Sequence, residues 1–156
     1  MELSIDNRLI FAILNGKVST AINHRLVSDF RADGIDLTPE QWTVLLYLSE
    51  RDGVSQQQLC EATYTGKPSM TRLIDAMERN GIVRREKTTA DRRKNLIRLT
   101  PKGHQLRTKA GKTAGHTLKE ALRGLGQESL IISQEVLRRI FENTSSGTKD
   151  VRPTNL

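Results

Sequence analysis

The chain has 156 residues, of which 36% are hydrophobic and 4% aromatic, and a net charge of +7; a chain this long can bury about two thirds of its unfolded surface, enough for one real core. Mean hydropathy is −0.50 and no stretch approaches the roughly 18 apolar residues of a membrane span, which argues against a membrane protein. The single cysteine, Cys60, excludes an internal disulfide and a zinc knuckle, and no charged segment leads into an apolar core with a cleavage site, so a soluble cytoplasmic protein is expected.

Residues 5–32 carry Ile5, Leu9 and Ile13, then Ile22, Leu26 and Phe30, at spacings of four. Ile10, Leu14, Val18 and Ala21 form a second apolar row beside them. No proline intervenes, so a helix is predicted, about 42 Å long if unbroken. Asn15-Gly16 weakens its middle and leaves either a kink or a break open. Two apolar rows imply two packing partners, its own domain and a second subunit. The low aromatic content points the same way, to apolar surface completed by another copy.

The next helices have legible starts. Thr38-Pro39-Glu40-Gln41 places a capping hydroxyl, a proline in the first turn and a reciprocal glutamine. Trp42, Leu45 and Leu46 follow as its inner face, and Gly53 stops the segment. Val54-Ser55-Gln56-Gln57-Gln58-Leu59 is a second capping box, with Val54 and Leu59 spaced as a hydrophobic staple, and that helix ends near Thr63. Thr65-Gly66-Lys67-Pro68 opens a third helix whose capping residue the sequence leaves open. Its buried stripe is Met70, Leu73, Ile74 and Met77, and Gly81 is its stop.

After Gly81 the period changes. Residues 82–87 and 95–99 read as two short strands, and the polar, basic segment 88–94 as the tip of their hairpin. Thr100-Pro101 starts another helix, carrying Leu106, Ala110, Leu118 and Ala121 and weakened by Gly111 and Gly115. A last helix covers about 127–143, with Leu130, Leu137, Ile140 and Phe141 expected inward. The tail 144–156 has no apolar period and is expected to be disordered.

Catalytic and metal chemistry find little support. His24, His104 and His116 stand far apart, with no carboxylate or thiol at metal-ligand spacing. No nucleophile elbow or phosphate-binding glycine loop occurs, so no enzyme, cofactor or metal is expected. Cys60 follows Leu59 on a short helix and reads as a small buried hydrophobe.

Charge is informative by its placement. Residues 1–63 carry a net −4, residues 64–123 a net +11 and residues 124–156 a net of zero. A surplus concentrated in one block is the footprint of a polyanion partner. That block holds a short capped helix, a tight turn, a second helix and a basic hairpin. In such a helix–turn–helix the second helix enters the major groove. With its apolar stripe inward, its first turns present Lys67, Ser69, Thr71 and Arg72, types that bond base edges and phosphates. A lone polar helix face is ordinarily just solvated; the adjacent hairpin of the same sign shifts the balance toward DNA. At the tip, Asp91 is placed to hold Arg93 by a bidentate pair, readying it for a narrow minor groove.

The run "LTPEQWTVLLYLSE", "VSQQQLCEA", "KPSMTRLIDAMERNGIVRRE" and "DRRKNLIRLTPKG", closing on "EVLRRIFEN", resembles the MarR family of bacterial transcriptional regulators. The resemblance covers about residues 5–143, and the wing signature "MERNGIVRRE…DRRKNLIRLTPKG" is its most specific part. It implies a mainly α fold with a small β-hairpin wing, a winged helix–turn–helix in which the N- and C-terminal helices form a homodimer interface. Domains then follow as 1–34 and 124–143 for dimerisation, 35–123 for DNA binding with its connecting helix, and 144–156 as tail. Ser55 opens the first helix of the motif, and Thr65, Lys67, Pro68, Ser69, Thr71 and Arg72 belong to the recognition helix. Asp91 and Arg93 match the family's acid–x–arginine pair, and Lys67, Arg84, Arg85, Arg92 and Lys94 would neutralise phosphates. Members of the family often release DNA when a small aromatic acid binds between the dimer helices and the winged domain. The expected partners are therefore double-stranded DNA, a second copy and such an effector, in the cytoplasm and on the nucleoid. Repression against activation stays open. An RNA- or ribosome-associated protein is the alternative, although residues 65–123 hold no aromatic to stack on bases.

Overall fold

The computed structural model describes residues 16–51, 53–87 and 95–145. The described chain falls into two compact units, parting between Ala121 and Leu122. The predicted helical segment 5–15, the hairpin tip 88–94 and the tail beyond Ser145 lie outside the described residues.

The first unit begins with α1 (Lys17–Ala32), preceded by Gly16 at φ 64°. An α-helix cannot run through that left-handed residue, so the described helix starts after Gly16. At its far end Ile35 N–H bonds Phe30 O and Gly34 N–H bonds Arg31 O, the paired closure of a glycine-terminated helix.

α2 (Pro39–Ser49) starts with the expected capping box: Thr38 Oγ1 accepts from Gln41 N–H, and Gln41 Oε1 accepts from Thr38 N–H. Its buried face is Trp42, Val44, Leu45 and Leu48. Leu46 instead lies exposed, against the expectation for it. The helix is apolar almost all round, so composition alone does not show which side meets the core.

A two-residue strand, β1 (Val54–Ser55), comes next and has no counterpart in the sequence reading. It is followed by α3 (Gln56–Thr63), α4 (Lys67–Arg79), β2 (Val83–Lys87), β3 (Asn95–Leu99) and α5 (Pro101–Ala121). The hairpin strands pair antiparallel with Val83 opposite Leu99 and Arg85 opposite Ile97. β1 adds to the other edge of β3, Val54 opposite Ile97, which makes a three-stranded sheet in the order β1-β3-β2.

The core lies where these elements converge: Phe30, Leu45, Leu59, Met70, Ile74, Met77, Val83 and Ile97 are all buried. Phe30 and Trp42 meet edge to face at 6.0 Å, which ties α1 to α2. α5 packs on this core by means the sequence hid. Its buried residues are Gly103, Ala110, Thr113 and Thr117. Thr113 donates to Asp33 at 2.5 Å and Thr117 to Asp29 at 2.7 Å, so two hydroxyl–carboxylate bonds one helical turn apart join α5 to α1. Leu118, one of the apolar residues the helix carries, is half exposed.

The second unit is α6 (Gln127–Ser145), two residues longer than the sequence suggested. Leu137, Ile140 and Phe141, expected inward, are about half exposed, as are Ile131, Ile132 and Val136. Arg138 is held between Glu135 and Glu142 on its polar side.

Candidate nucleic-acid interface

α3 and α4 form the two limbs of a helix–turn–helix. Ser55 caps α3, its Oγ accepting from Gln58 N–H while Gln58 Oε1 accepts from Ser55 N–H. The turn runs through Tyr64 and Thr65; Thr65 N–H bonds Cys60 O, and its hydroxyl accepts from the Thr63 hydroxyl and donates to Thr63 O. Thr65 is therefore only half exposed.

α4 enters from Gly66 with no side-chain cap on its first turn. The first-turn amides thus remain directed outward at the positive end of the helix. Lys67, Pro68, Ser69 and Arg72 are all exposed there, while Met70, Ile74 and Met77 are buried on the opposite side. Proline sits within the first two helical positions, where it sacrifices no internal hydrogen bond. Thr71 differs from its neighbours. Its hydroxyl accepts from Gln56 Nε2 at 2.6 Å and donates to Lys67 O at 2.9 Å. The proton that would address a base edge is committed to Lys67 O within α4, and the bond accepted from Gln56 locks α4 onto α3.

The wing shows a similar division among its arginines. Arg84 is exposed, with Nη2 3.2 Å from Glu86. Arg98 Nε approaches the same carboxylate at 3.1 Å. Arg85, expected to meet phosphate, turns toward α4: Nη2 reaches Asp75 at 2.6 Å and Nη1 reaches Glu78 at 2.5 Å. The Arg85 backbone N–H also bonds Glu78 at 3.0 Å. Burial disfavours the charge, but the two carboxylate bonds outweigh it and hold the guanidinium pKa above its ordinary value. Asp91, Arg92, Arg93 and Lys94 lie outside the described residues.

Thus the first turns of α4 and the outward face of β2 carry exposed cations, while Gln56 ties α4 to α3 through Thr71 and Asp75 and Glu78 tie α4 to β2 through Arg85. Sequence reading missed these three because each looks like an ordinary solvated residue. Asp75 and Glu78 do stand three apart on α4, one turn from the wing, and that spacing is the available signal. Among the described residues no group of three or more His, Cys, Asp or Glu is placed to hold a metal ion.

Away from this face, a cavity of about 700 Å³ opens between α1, α2 and α5. Ile22, Leu26, Trp42 and Leu46 supply apolar walls, and Arg107 and Lys112 bring positive charge to it.

Residues 35–94 match the profile of the MarR family. The transcriptional regulator HosA of Escherichia coli is 29% identical over 106 residues, which span 68% of this chain and 78% of HosA. The crystal structure of the transcriptional regulator PA3341 is 31% identical, with a TM-score of 0.75 over 87% of this chain and 98% of that one. A mutant MarR from E. coli complexed with operator DNA shares the fold at a TM-score of 0.76, with 20% identity over 90% of this chain and 99% of that one.

Proposed function

The chain belongs to the MarR family of transcriptional regulators, and from that premise we propose that it binds a near-palindromic operator as a homodimer and represses transcription until a small aromatic acid releases it. The observation that carries the DNA reading is the conjunction of an uncapped, cation-bearing α4 with an adjacent basic wing. The related MarR structure that holds operator DNA has the same fold.

In this reading α4 lies in the major groove. Lys67, Ser69 and Arg72 face the bases and the groove edge, while Arg84, Arg92 and Lys94 neutralise phosphates and Arg93, held by Asp91, enters the minor groove. Ser55 caps α3, Thr65 lies in the turn before α4, Pro68 shapes the first turn of α4, and Thr71 and Arg85 position their neighbours. Dimerisation uses the segments 1–34 and 124–143. Its support is the apolar row of α6, which a lone helix leaves half in water. Two-fold symmetry then sets half-sites about one turn, roughly 34 Å, apart. Repression is the simpler mode, since a dimer lying across a promoter blocks it with no further contact. The cavity between α1, α2 and α5 suits an aromatic acid, with apolar walls from Ile22, Leu26 and Trp42 and two cations for a carboxylate.

Fluorescence anisotropy tests this reading with three probes at several salt concentrations: the duplex upstream of the protein's own gene, a scrambled duplex and a single-stranded RNA. A gap of about a thousandfold or more between the two duplexes establishes the operator. Equal, salt-steep binding to both places the operator elsewhere, and preference for the RNA overturns the reading.

A further inference from the structure

Nearly half of the positive surplus lies outside the helix–turn–helix and the wing. Residues 100–123 hold six lysines and arginines against one glutamate, a net +5 of the +11 carried by residues 64–123. Within α5 their placement is regular. Positions 102, 109 and 116 recur every seven residues, and 105, 112 and 119 interleave with them, which puts all six on one side of the helix. They are Lys102, Gln105, Lys109, Lys112, His116 and Lys119, and every one is exposed. The stripe runs about 25 Å along α5. Among the described residues Lys109, Lys112 and Lys119 enter no ion pair, unlike Arg84, Arg85 and Arg98 of the wing. The carboxylates that α1 turns toward α5, Asp33 and Asp29, are bonded by Thr113 and Thr117. Like charges along one helix face work against the helix, so the use of this stripe is to be sought outside the chain.

Its chemistry and its place narrow that use. The stripe contains no apolar side chain, whereas a protein interface has an apolar centre and is poor in lysine. A nucleic-acid backbone asks only for charge at intervals along its length, which lysines supply. Lys102 Nζ bonds Asn80 O at 2.7 Å, just beyond the C-terminal end of α4. The stripe therefore begins about 20 Å along α4 from the turns that enter the groove. From there α5 packs chiefly on α1 and α2, so a duplex seated on the first turns of α4 leaves the stripe uncovered. We propose that the α5 stripe binds the phosphate backbone of a second DNA segment, without regard to sequence, while α4 reads the first. This rests on the DNA-binding reading above.

The test is a sandwich assay. The duplex upstream of the protein's own gene is immobilised and loaded with the full chain, and a fluorescein-labelled duplex of mixed sequence, roughly 30 base pairs long, is then applied at several salt concentrations. The parent is compared with the double variant Lys109→Gln, Lys119→Gln, which keeps helix propensity and leaves Lys112 to the cavity. The parent is expected to capture the labelled duplex. The variant is expected to load onto the immobilised duplex as the parent does, at an unchanged thermal midpoint. It should then capture the labelled duplex roughly tenfold more weakly, with a salt slope smaller by about two. Equal capture by the two chains overturns the proposal, as does a parent that loads but captures nothing. Loading that falls by the same factor as capture places the lysines on the first duplex and overturns it too. A polyglutamate peptide that binds the loaded parent more tightly than the labelled duplex would assign the stripe to an acidic polypeptide instead. A parent that fails to load at low salt overturns the DNA-binding reading itself.

Discussion

Arg85 and Arg93 belong to one basic stretch of the sequence, and the structure gives Arg85 a use within the chain. The guanidinium of Arg85 is engaged within the chain by Asp75 and Glu78. Arg85→Ala is expected to cost about 1–2 kcal/mol of stability, below the range for buried pairs because both carboxylates stay half in water. Thermal denaturation would register it, and the difference should shrink at high salt. Arg93→Ala should leave that midpoint unchanged and instead lose about 1–3 kcal/mol of operator binding at fixed salt. Sequence alone reads Arg85 as a phosphate contact like its neighbours, since only tertiary packing brings α4 against β2. Gly103 shows the reverse case, in which a residue that looks like a weakness is obligatory. A β-carbon there would stand 2.2 Å from Ile82 O. Relieving a clash with backbone costs about 1–3 kcal/mol, whereas alanine's better helix propensity returns at most about 1 kcal/mol. Gly103→Ala is therefore expected to lower the thermal midpoint, and a raised midpoint would refute the tight approach.

Elements differ in how openly the sequence declares them. Thr38/Gln41 and Ser55/Gln58 are local devices, complete within four residues, and both capping boxes form as their spacing indicates. Gly81 likewise ends α4 as its position suggests, with Ile82 N–H on Met77 O. β1 was illegible because two residues carry no period, and it exists only through its partner Ile97. The inner face of α5 was illegible for a different reason: its buried members Thr113 and Thr117 are polar, and their partners lie on a distant helix. That junction has a pH signature. The Thr117 hydroxyl, and after it the Arg25 guanidinium, hold the Asp29 carboxyl below its ordinary value of 3.8. A lowered folded pKa means stability that is full above the unfolded value and lost as pH falls through the folded one. Thr117→Val should therefore be destabilised at neutral pH, with the gap to the parent narrowing as pH falls below the ordinary value of 3.8 and through the lower folded one. A gap independent of pH would remove the carboxylate from the account.

For the molecule as a whole, the second unit carries the argument for assembly. Leu137 stands about half exposed in a row with Ile140 and Phe141. If that row is buried by a second copy, Leu137→Glu should convert the sedimenting species from dimer to monomer and abolish operator binding, without unfolding the first unit. A variant that sediments as the parent does would exclude the row from the interface. Within the first unit, Ser55 serves two elements at once. Its backbone pairs with Leu96 in β3 while its hydroxyl completes the cap of α3. One residue thus belongs to two elements whose partners are distant in sequence, so α3 cannot be seated before the hairpin has returned. Folding from α3 through β3 becomes all-or-none. Amide protons along α3 and β3 then share a single opening event, and their exchange with solvent reports the stability of the entire unit, not the fraying of a short helix.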